Sequence, residues 1–216
     1  MSPPTIDIRI VQLLFSRLCH DLAGPIGAIG NGLELISKPS NSDDAEALDL
    51  IGQSARQAGR ELEFARLAFG FGGGSAGTYL GDAERLCKAL FGNDRVTVAW
   101  RSDTGATDLP KDTAKLLVNM ALAGDQALRG RGTLSISVET APGGMRIEII
   151  AEGPGAALKP AYRDALAGRA NLPDLEPATA QGFFTFSLIQ LAGATLVVDG
   201  DTADRVVLST VMVGRG

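Results

Sequence analysis

The residue that offers the most chemistry in this 216-residue chain is His20, its only histidine. Apolar residues recur every three or four positions from Val11 to Ile36, which predicts a helix. At about 100° per residue, His20 points away from that apolar seam and into solvent. An exposed imidazole is partly uncharged near neutral pH and is then a competent nucleophile. Asp21 follows directly, and its carboxylate can hold the ring tautomer or take the ring proton. His20 and Asp21 are therefore the candidate catalytic residues.

The predicted helix surface around His20 is lined mainly by small residues. Five candidate docking residues lie within about 60° of His20 on this helix: Ser16, Arg17, Gly24, Gly27 and Asn31. Each helical glycine costs about 1 kcal/mol relative to alanine, so several of them on an exposed face favour a surface for a globular partner. Pro25 cannot donate a helical hydrogen bond, which predicts a loosened turn after His20.

The histidine and cysteine content excludes several other site classes. Cys19 and Cys87 are far apart and form no CxxC pair, so with one histidine they cannot complete a zinc site. Two-histidine metal sites need a second histidine that the chain lacks. We expect both cysteines to be reduced, packed thiols and expect no bound metal.

The first 70 residues are predicted to form an antiparallel helical hairpin. A turn at Lys38–Asn41 follows the first helix, and Ser42 or Asp43 caps a second helix with apolar positions from Leu48 to Phe69. Such a hairpin exposes a long apolar stripe, which must pack on the rest of the chain or on a second copy. We expect a homodimer whose two hairpins form a four-helix bundle.

A glycine-rich joint at 71–77 separates the hairpin (1–70) from a second domain at 78–216. The patterns in this domain predict a helix at 82–91, a strand at 95–101 and a helix at about 111–128. A hairpin of strands at 133–139 and 145–150 follows, then a helix within 155–168 and a loop at 171–177. A helix at 183–191 and strands at 194–198 and 205–213 complete an α+β fold with an α/β sandwich.

The run from Ser16 to Ile26 resembles the H-box of two-component systems, in which His, an acidic residue and a later proline lie on the first helix of a dimerisation hairpin. Extended to Leu35, it resembles the ChpT-type histidine phosphotransferases, and the likeness covers the whole chain in outline. This resemblance implies a homodimer in which His20 receives a phosphoryl group from the receiver domain of a hybrid histidine kinase and passes it to response regulators.

The second domain resembles the ATP-binding domain of histidine kinases but departs from its motifs. In those kinases one helix carries two asparagines four residues apart, and the second of them holds magnesium. Asn119 matches the first asparagine, whereas Ala123 stands at the position of the second. Ala151 replaces the adenine-binding aspartate before Gly153 and Gly155, and the segment 180–185 supplies one glycine instead of a phosphate-binding turn. We therefore expect no ATP, with Mg²⁺ supplied by the partner receiver domain.

The net charge of −5 gives no attraction to nucleic acid or anionic membranes, and no long apolar run or signal peptide is present. We expect a cytoplasmic protein. Two alternatives stay open at this point: a divergent ATP-dependent histidine kinase, and a dimeric scaffold in which His20 is incidental. The sequence names neither the donor kinase nor the acceptors, and it leaves open which ring nitrogen is phosphorylated.

Overall fold

The computed structural model describes residues 7–36, 44–70, 80–103, 112–199 and 204–213. Two long helices come first, α1 (Ile8–Ile36) and α2 (Asp44–Phe69), and they pack as an antiparallel hairpin. α1 begins three residues before the predicted start at Val11 and continues through the buried Pro25. The predicted turn at Lys38–Asn41, the caps Ser42 and Asp43, and the joint at 71–77 lie outside the described residues.

The rest of the chain forms a mixed α+β unit built on one five-stranded sheet. Its elements, in chain order, are α3 (Leu80–Phe91), β1 (Val96–Ser102), α4 (Thr113–Leu128), β2 (Gly132–Ala141), β3 (Gly144–Glu152), α5 (Pro160–Leu166), α6 (Pro177–Leu191), β4 (Val197–Asp199) and β5 (Arg205–Val213). The strand order is β1-β2-β3-β5-β4. β1 and β2 are parallel, and the other pairs are antiparallel. The parallel pair is joined by α4, whose length makes this crossover possible.

The main core lies between the sheet and α4. Alternate residues of β2, β3 and β5 are buried, which is the period expected of a sheet with one covered face. α4 is buried on almost all sides, because it contacts three strands as well as α2, α3 and α6. A Cβ on Gly124 would lie 2.6 Å from Ile149 Cγ2, so only glycine lets α4 approach the sheet this closely.

The largest difference from the predicted elements concerns α6, which begins at Pro177 and not near Phe183. Proline suits the first helical turn because its missing N–H has no helical partner there. The backbone N–H of Glu176 donates to Thr179 Oγ1 at 2.9 Å, which completes this start. The predicted loop at 171–177 contains a 3-10 turn at Leu172–Asp174. β4 is also shorter than its predicted span of 194–198.

The start of α1 is anchored on the α+β unit. Ile10 and Leu14 are buried in a small second core with Leu175 and Phe184. The guanidinium of Arg9 donates from Nε to Leu172 O at 2.9 Å and from Nη2 to Pro173 O at 2.7 Å. Hairpin and α+β unit are thus joined by packing and hydrogen bonds at the start of α1.

The face of α1 that packs within the chain differs from the predicted apolar seam. The buried residues of α1 are Ile10, Leu14, Pro25 and Gly32, none of which belongs to that seam. Four seam residues are exposed instead: Val11, Phe15, Ile26 and Leu33. α1 therefore presents a packed face, an exposed apolar face and a third face that carries His20.

Candidate functional site

His20 lies on the third face of α1, where its side chain is 89% exposed. Ser16, Gly24, Gly27 and Asn31 share this exposed face, as the helical spacing predicts. The expectation that His20 points away from the apolar seam is met, because seam and histidine lie on different sides of the helix. The imidazole is accessible to a molecule that approaches α1 from solvent.

The imidazole contacts its neighbour in the chain through one ring nitrogen. His20 Nδ1 lies 3.4 Å from Asp21 Oδ1, and the other oxygen, Asp21 Oδ2, lies 3.6 Å from Arg17 Nε. An oxygen near Nδ1 favours the tautomer that carries its proton on Nδ1, since a carboxylate only accepts hydrogen bonds. The lone pair of the neutral ring is then on Nε2. This geometry leaves Nε2 as the nucleophilic atom.

Arg17 differs from the other predicted docking residues, because its side chain turns toward the protein and is only 16% exposed. Its Nη1 atom is buried and has no hydrogen-bond partner among the described residues. A small cavity of about 30 Å³ lies beside it, and Asp21, Glu61, Phe64 and Leu122 contribute to its lining. Arg17 thus occupies the junction of α1, α2 and α4 and offers a partner little surface.

Two further carboxyl groups, those of Glu61 and Asp125, lie near enough to Arg17 to interact with its charge. Burial raises the pKa of Glu61 on α2, and the nearby Asp21 raises it further, whereas Arg17 and Arg60 lower it. Burial also raises the pKa of Asp125 on α4 to about 6, against the opposing effect of Arg17. Neither residue stands out in the sequence, where both look like ordinary surface acids of helices.

The glycines of the His20 face are not required by packing within the chain. A Cβ on Gly24 or Gly27 would meet no atom within 4 Å apart from the nearby backbone of α1 itself. Gly32 differs, because its Cβ would lie 2.6 Å from Ile51 Cγ1 at the contact between α1 and α2. The face around His20 is therefore both flat and accessible.

The asparagine of the second domain that matches a kinase motif, Asn119, forms hydrogen bonds inside the protein. Asn119 is fully buried, and its Nδ2 donates to Ala68 O at 2.8 Å and to Lys115 O at 2.9 Å. Its Oδ1 accepts from Gln181 Nε2 at 3.1 Å. Gln181 also accepts a hydrogen bond from the hydroxyl of Tyr162. These bonds tie α4 to the end of α2 and to α6.

The other motif positions of this domain are part of the core. Ala123 and Ala151 are fully buried, on α4 and β3 respectively. The segment 180–185 lies within α6, and five of its six residues are buried. The helix predicted at 183–191 therefore begins six residues earlier, because Pro177 and Thr179 form its first turn.

The two cysteines differ from each other. Cys87 is buried in the core, which raises the pKa of its thiol to about 12. Cys19 is exposed, so the expectation of a packed thiol is wrong at this position.

No three His, Cys, Asp or Glu side chains within the described ranges are grouped so that they could hold a metal ion. None of the described helices is long and apolar enough to cross a bilayer.

Comparison with known proteins identifies relatives that match the chain over nearly its full length. The family model for the histidine phosphotransferase C-terminal domain matches residues 80–204. A relative from Brucella abortus (strain 2308), described as protein phosphotransferase ChpT, is 36% identical over 96% of this chain and 98% of its own. A solved structure of a bacterial phosphotransferase is 33% identical, with a TM-score of 0.81 over 96% of this chain and 98% of that one.

Proposed function

Because this chain belongs to the histidine phosphotransferase family, we propose that it carries the phosphoryl group of a phosphorelay on Nε2 of His20. The observation that carries this assignment is the 89% exposure of the imidazole, whose Nδ1 faces Asp21. His20 is the only histidine in the chain, so a histidine phosphotransferase built from it has no other acceptor.

In the proposed reaction, Nε2 of the neutral ring attacks the phosphorus atom of an aspartyl phosphate on a receiver domain. The nitrogen–phosphorus bond forms while the bond from phosphorus to the carboxylate oxygen breaks, and the receiver aspartate leaves as a carboxylate. The phosphorylated ring keeps its proton on Nδ1 and gains positive charge, which the adjacent carboxylate of Asp21 stabilises. Transfer to the aspartate of a second receiver reverses the same bond changes.

The proposed docking surface is the face that carries His20 together with Ser16, Gly24, Gly27 and Asn31. Its exposure and the open space at Gly24 and Gly27 support this role, because a rounded receiver domain can bring its aspartate close to a flat helix face. The partners we propose are the receiver domain of a hybrid histidine kinase and the response regulators that it supplies. Mg²⁺ would arrive with the receiver. A cytoplasmic location stays a prediction of the sequence.

We propose that the protein works as a homodimer through a four-helix bundle of two hairpins. The exposed apolar residues of both helices support this, since Val11, Phe15 and Leu33 on α1 and Leu48 and Leu62 on α2 face solvent in the single chain. Large apolar side chains exposed in this number on two packed helices favour an interface with another protein surface. A second copy carries the same stripe and is therefore a self-complementary partner.

We propose further that the second domain binds no ATP. The support comes from Asn119, whose side chain is committed to hydrogen bonds with Ala68, Lys115 and Gln181 inside the core. The side chain of Ala123 has no oxygen with which to hold a metal ion, and that of Ala151 has no carboxylate for an adenine. A divergent kinase would need these groups to be accessible to nucleotide.

The test is incubation of the protein with a receiver domain phosphorylated on its aspartate, followed by detection of acid-labile phosphate on this chain. We expect rapid transfer to the wild-type protein and none to His20→Ala, which should keep its fold because the side chain is 89% exposed. Cys19→Ala, one residue away on the same exposed helix, is the matched control and should accept phosphate normally. Phosphate on His20→Ala would overturn the proposal.

A further inference from the structure

Asp21 has a different partner for each oxygen of its carboxylate. Oδ1 lies 3.4 Å from His20 Nδ1, and Oδ2 lies 3.6 Å from Arg17 Nε. Adjacent residues of a helix point about 100° apart, so an aspartate directly after a histidine does not face it by default. Arg17 is one turn before Asp21 on the same side of the helix, where the side chains of residues four apart meet. It is therefore placed to select the rotamer of Asp21.

The side chain of Arg17 is itself ordered by packing, so it can fix the position of a neighbouring side chain. It is only 16% exposed, and it lies where Glu61 and Phe64 of α2 meet Leu122 of α4. A long side chain that is already ordered loses little further entropy when it fixes a neighbour. This separates the pair from an ordinary surface salt bridge, in which two mobile side chains contribute almost nothing.

The charges around Arg17 favour Asp21 as its partner. Glu61 and Asp125 approach from α2 and α4, but both are partly buried and burial raises the pKa of each, so each loses hydration when it ionises. Asp21 is 38% exposed and keeps part of its hydration as an anion. Among the described residues, Arg17 forms its ion pair with Asp21, through Nε, while its buried Nη1 has no hydrogen-bond partner.

From this geometry we propose that Arg17 is a positioning residue that holds the carboxylate of Asp21 against Nδ1 of His20. Through Arg17, the packing of α1 on α2 and α4 sets the tautomer of the phosphate-accepting ring. The proposal rests on the proposed function of His20, but its structural part is independent of any phosphate. Arg17 does not touch the reacting atoms and acts only through Asp21.

The single histidine allows a direct test by NMR, because the imidazole nitrogens of an untagged protein give one set of signals, those of His20. At a pH where the ring is neutral, we expect the wild-type ring to carry its proton mainly on Nδ1. Arg17→Gln and Asp21→Asn should each shift the equilibrium toward the Nε2 proton. Arg17→Lys keeps the positive charge and should restore at least half of the difference.

The kinetic arm is a double-mutant cycle on phosphate uptake from a phosphorylated receiver. We expect Arg17→Gln and Asp21→Asn each to slow uptake by at least fivefold, and the double variant to be no slower than Asp21→Asn alone. Losses that multiply in the double variant would show that Arg17 acts independently of Asp21 and would overturn the proposal. An unchanged tautomer equilibrium in a folded Arg17→Gln protein would overturn it as well.

Two outcomes keep this proposal apart from the proposed function. If wild-type protein takes up no phosphate, the function fails, while the tautomer experiment still tests the arrangement of the three side chains. If Arg17→Gln does not fold, Asp21→Asn is measured instead, because Asp21 is half-exposed. In that variant the Nε–H signal of Arg17 should move, and an unmoved signal would contradict the contact between Arg17 and Asp21.

Discussion

Gly27 provides the sharpest test of the docking face around His20. It lies seven residues after His20, which places it about 20° away around the helix and about 10 Å along its axis. Its backbone is helical, and a Cβ there would meet no atom within 4 Å. Replacement by alanine should therefore stabilise the helix by up to about 1 kcal/mol, which corresponds to about 2–4 °C in Tm for a chain of this size.

Arginine at the same position should stabilise the helix nearly as much as alanine, because the two have similar helix propensities. Its long charged side chain would, however, stand where a receiver domain must approach His20. We expect Gly27→Arg to slow phosphoryl transfer by at least tenfold, equivalent to about 1.4 kcal/mol in the transition state for transfer. Gly27→Ala should stay within about twofold of the wild-type rate.

The assay compares transfer rates from a phosphorylated receiver with thermal melting of the same samples. Gly81→Arg is the control for an added arginine, because Gly81 is also exposed, helical and open, but lies on α3. It should transfer phosphate normally. If Gly27→Arg transfers at the wild-type rate while folded and dimeric, or if Gly27→Ala is as slow as Gly27→Arg, exclusion of a partner from this face is the wrong explanation.

Three further predictions concern the interface, the second domain and the buried junction. Phe15 is 66% exposed in the single chain, so Phe15→Glu should leave the fold intact but give a monomer in light scattering, whereas Gln12→Glu should stay dimeric; a dimeric Phe15→Glu protein would contradict the proposed interface. Calorimetry with ATP, with or without Mg²⁺, should show no binding at millimolar concentrations, and a saturable signal at tens of micromolar would favour the kinase alternative. Burial raises the pKa of Asp125 from 3.8 to about 6, so the folded state binds its proton more tightly and the free energy of unfolding should fall as pH rises from about 4 to 6. Asp125→Asn should remove this loss and stabilise the protein at pH 7 by up to about 3 kcal/mol; equal pH profiles for the two proteins would refute this reasoning.

The sequence was sufficient for features that depend on local periodicity. The spacing of apolar residues predicted α1, the exposure of His20 and the small residues beside it, because helix geometry alone sets which side chains share a face. Alternation and turn residues likewise located β2, β3 and β5 within one or two residues at most of their ends. The family resemblance added the proposed role of His20 as phosphate acceptor, and the relatives confirm the family.

Only the tertiary structure decided how Arg17 and the residues around it pack between α1, α2 and α4. Arg17 was expected at the docking surface by helical spacing, but it turns inward because α2 and α4 supply carboxyl groups and apolar atoms beneath it. Glu61, Asp125 and the hydrogen bonds of Asn119 join segments far apart in the chain, and no local pattern records which distant side chains meet. Periodicity assigns a residue to a face of its own helix, whereas the packing of several elements decides whether that face is covered and by which charges.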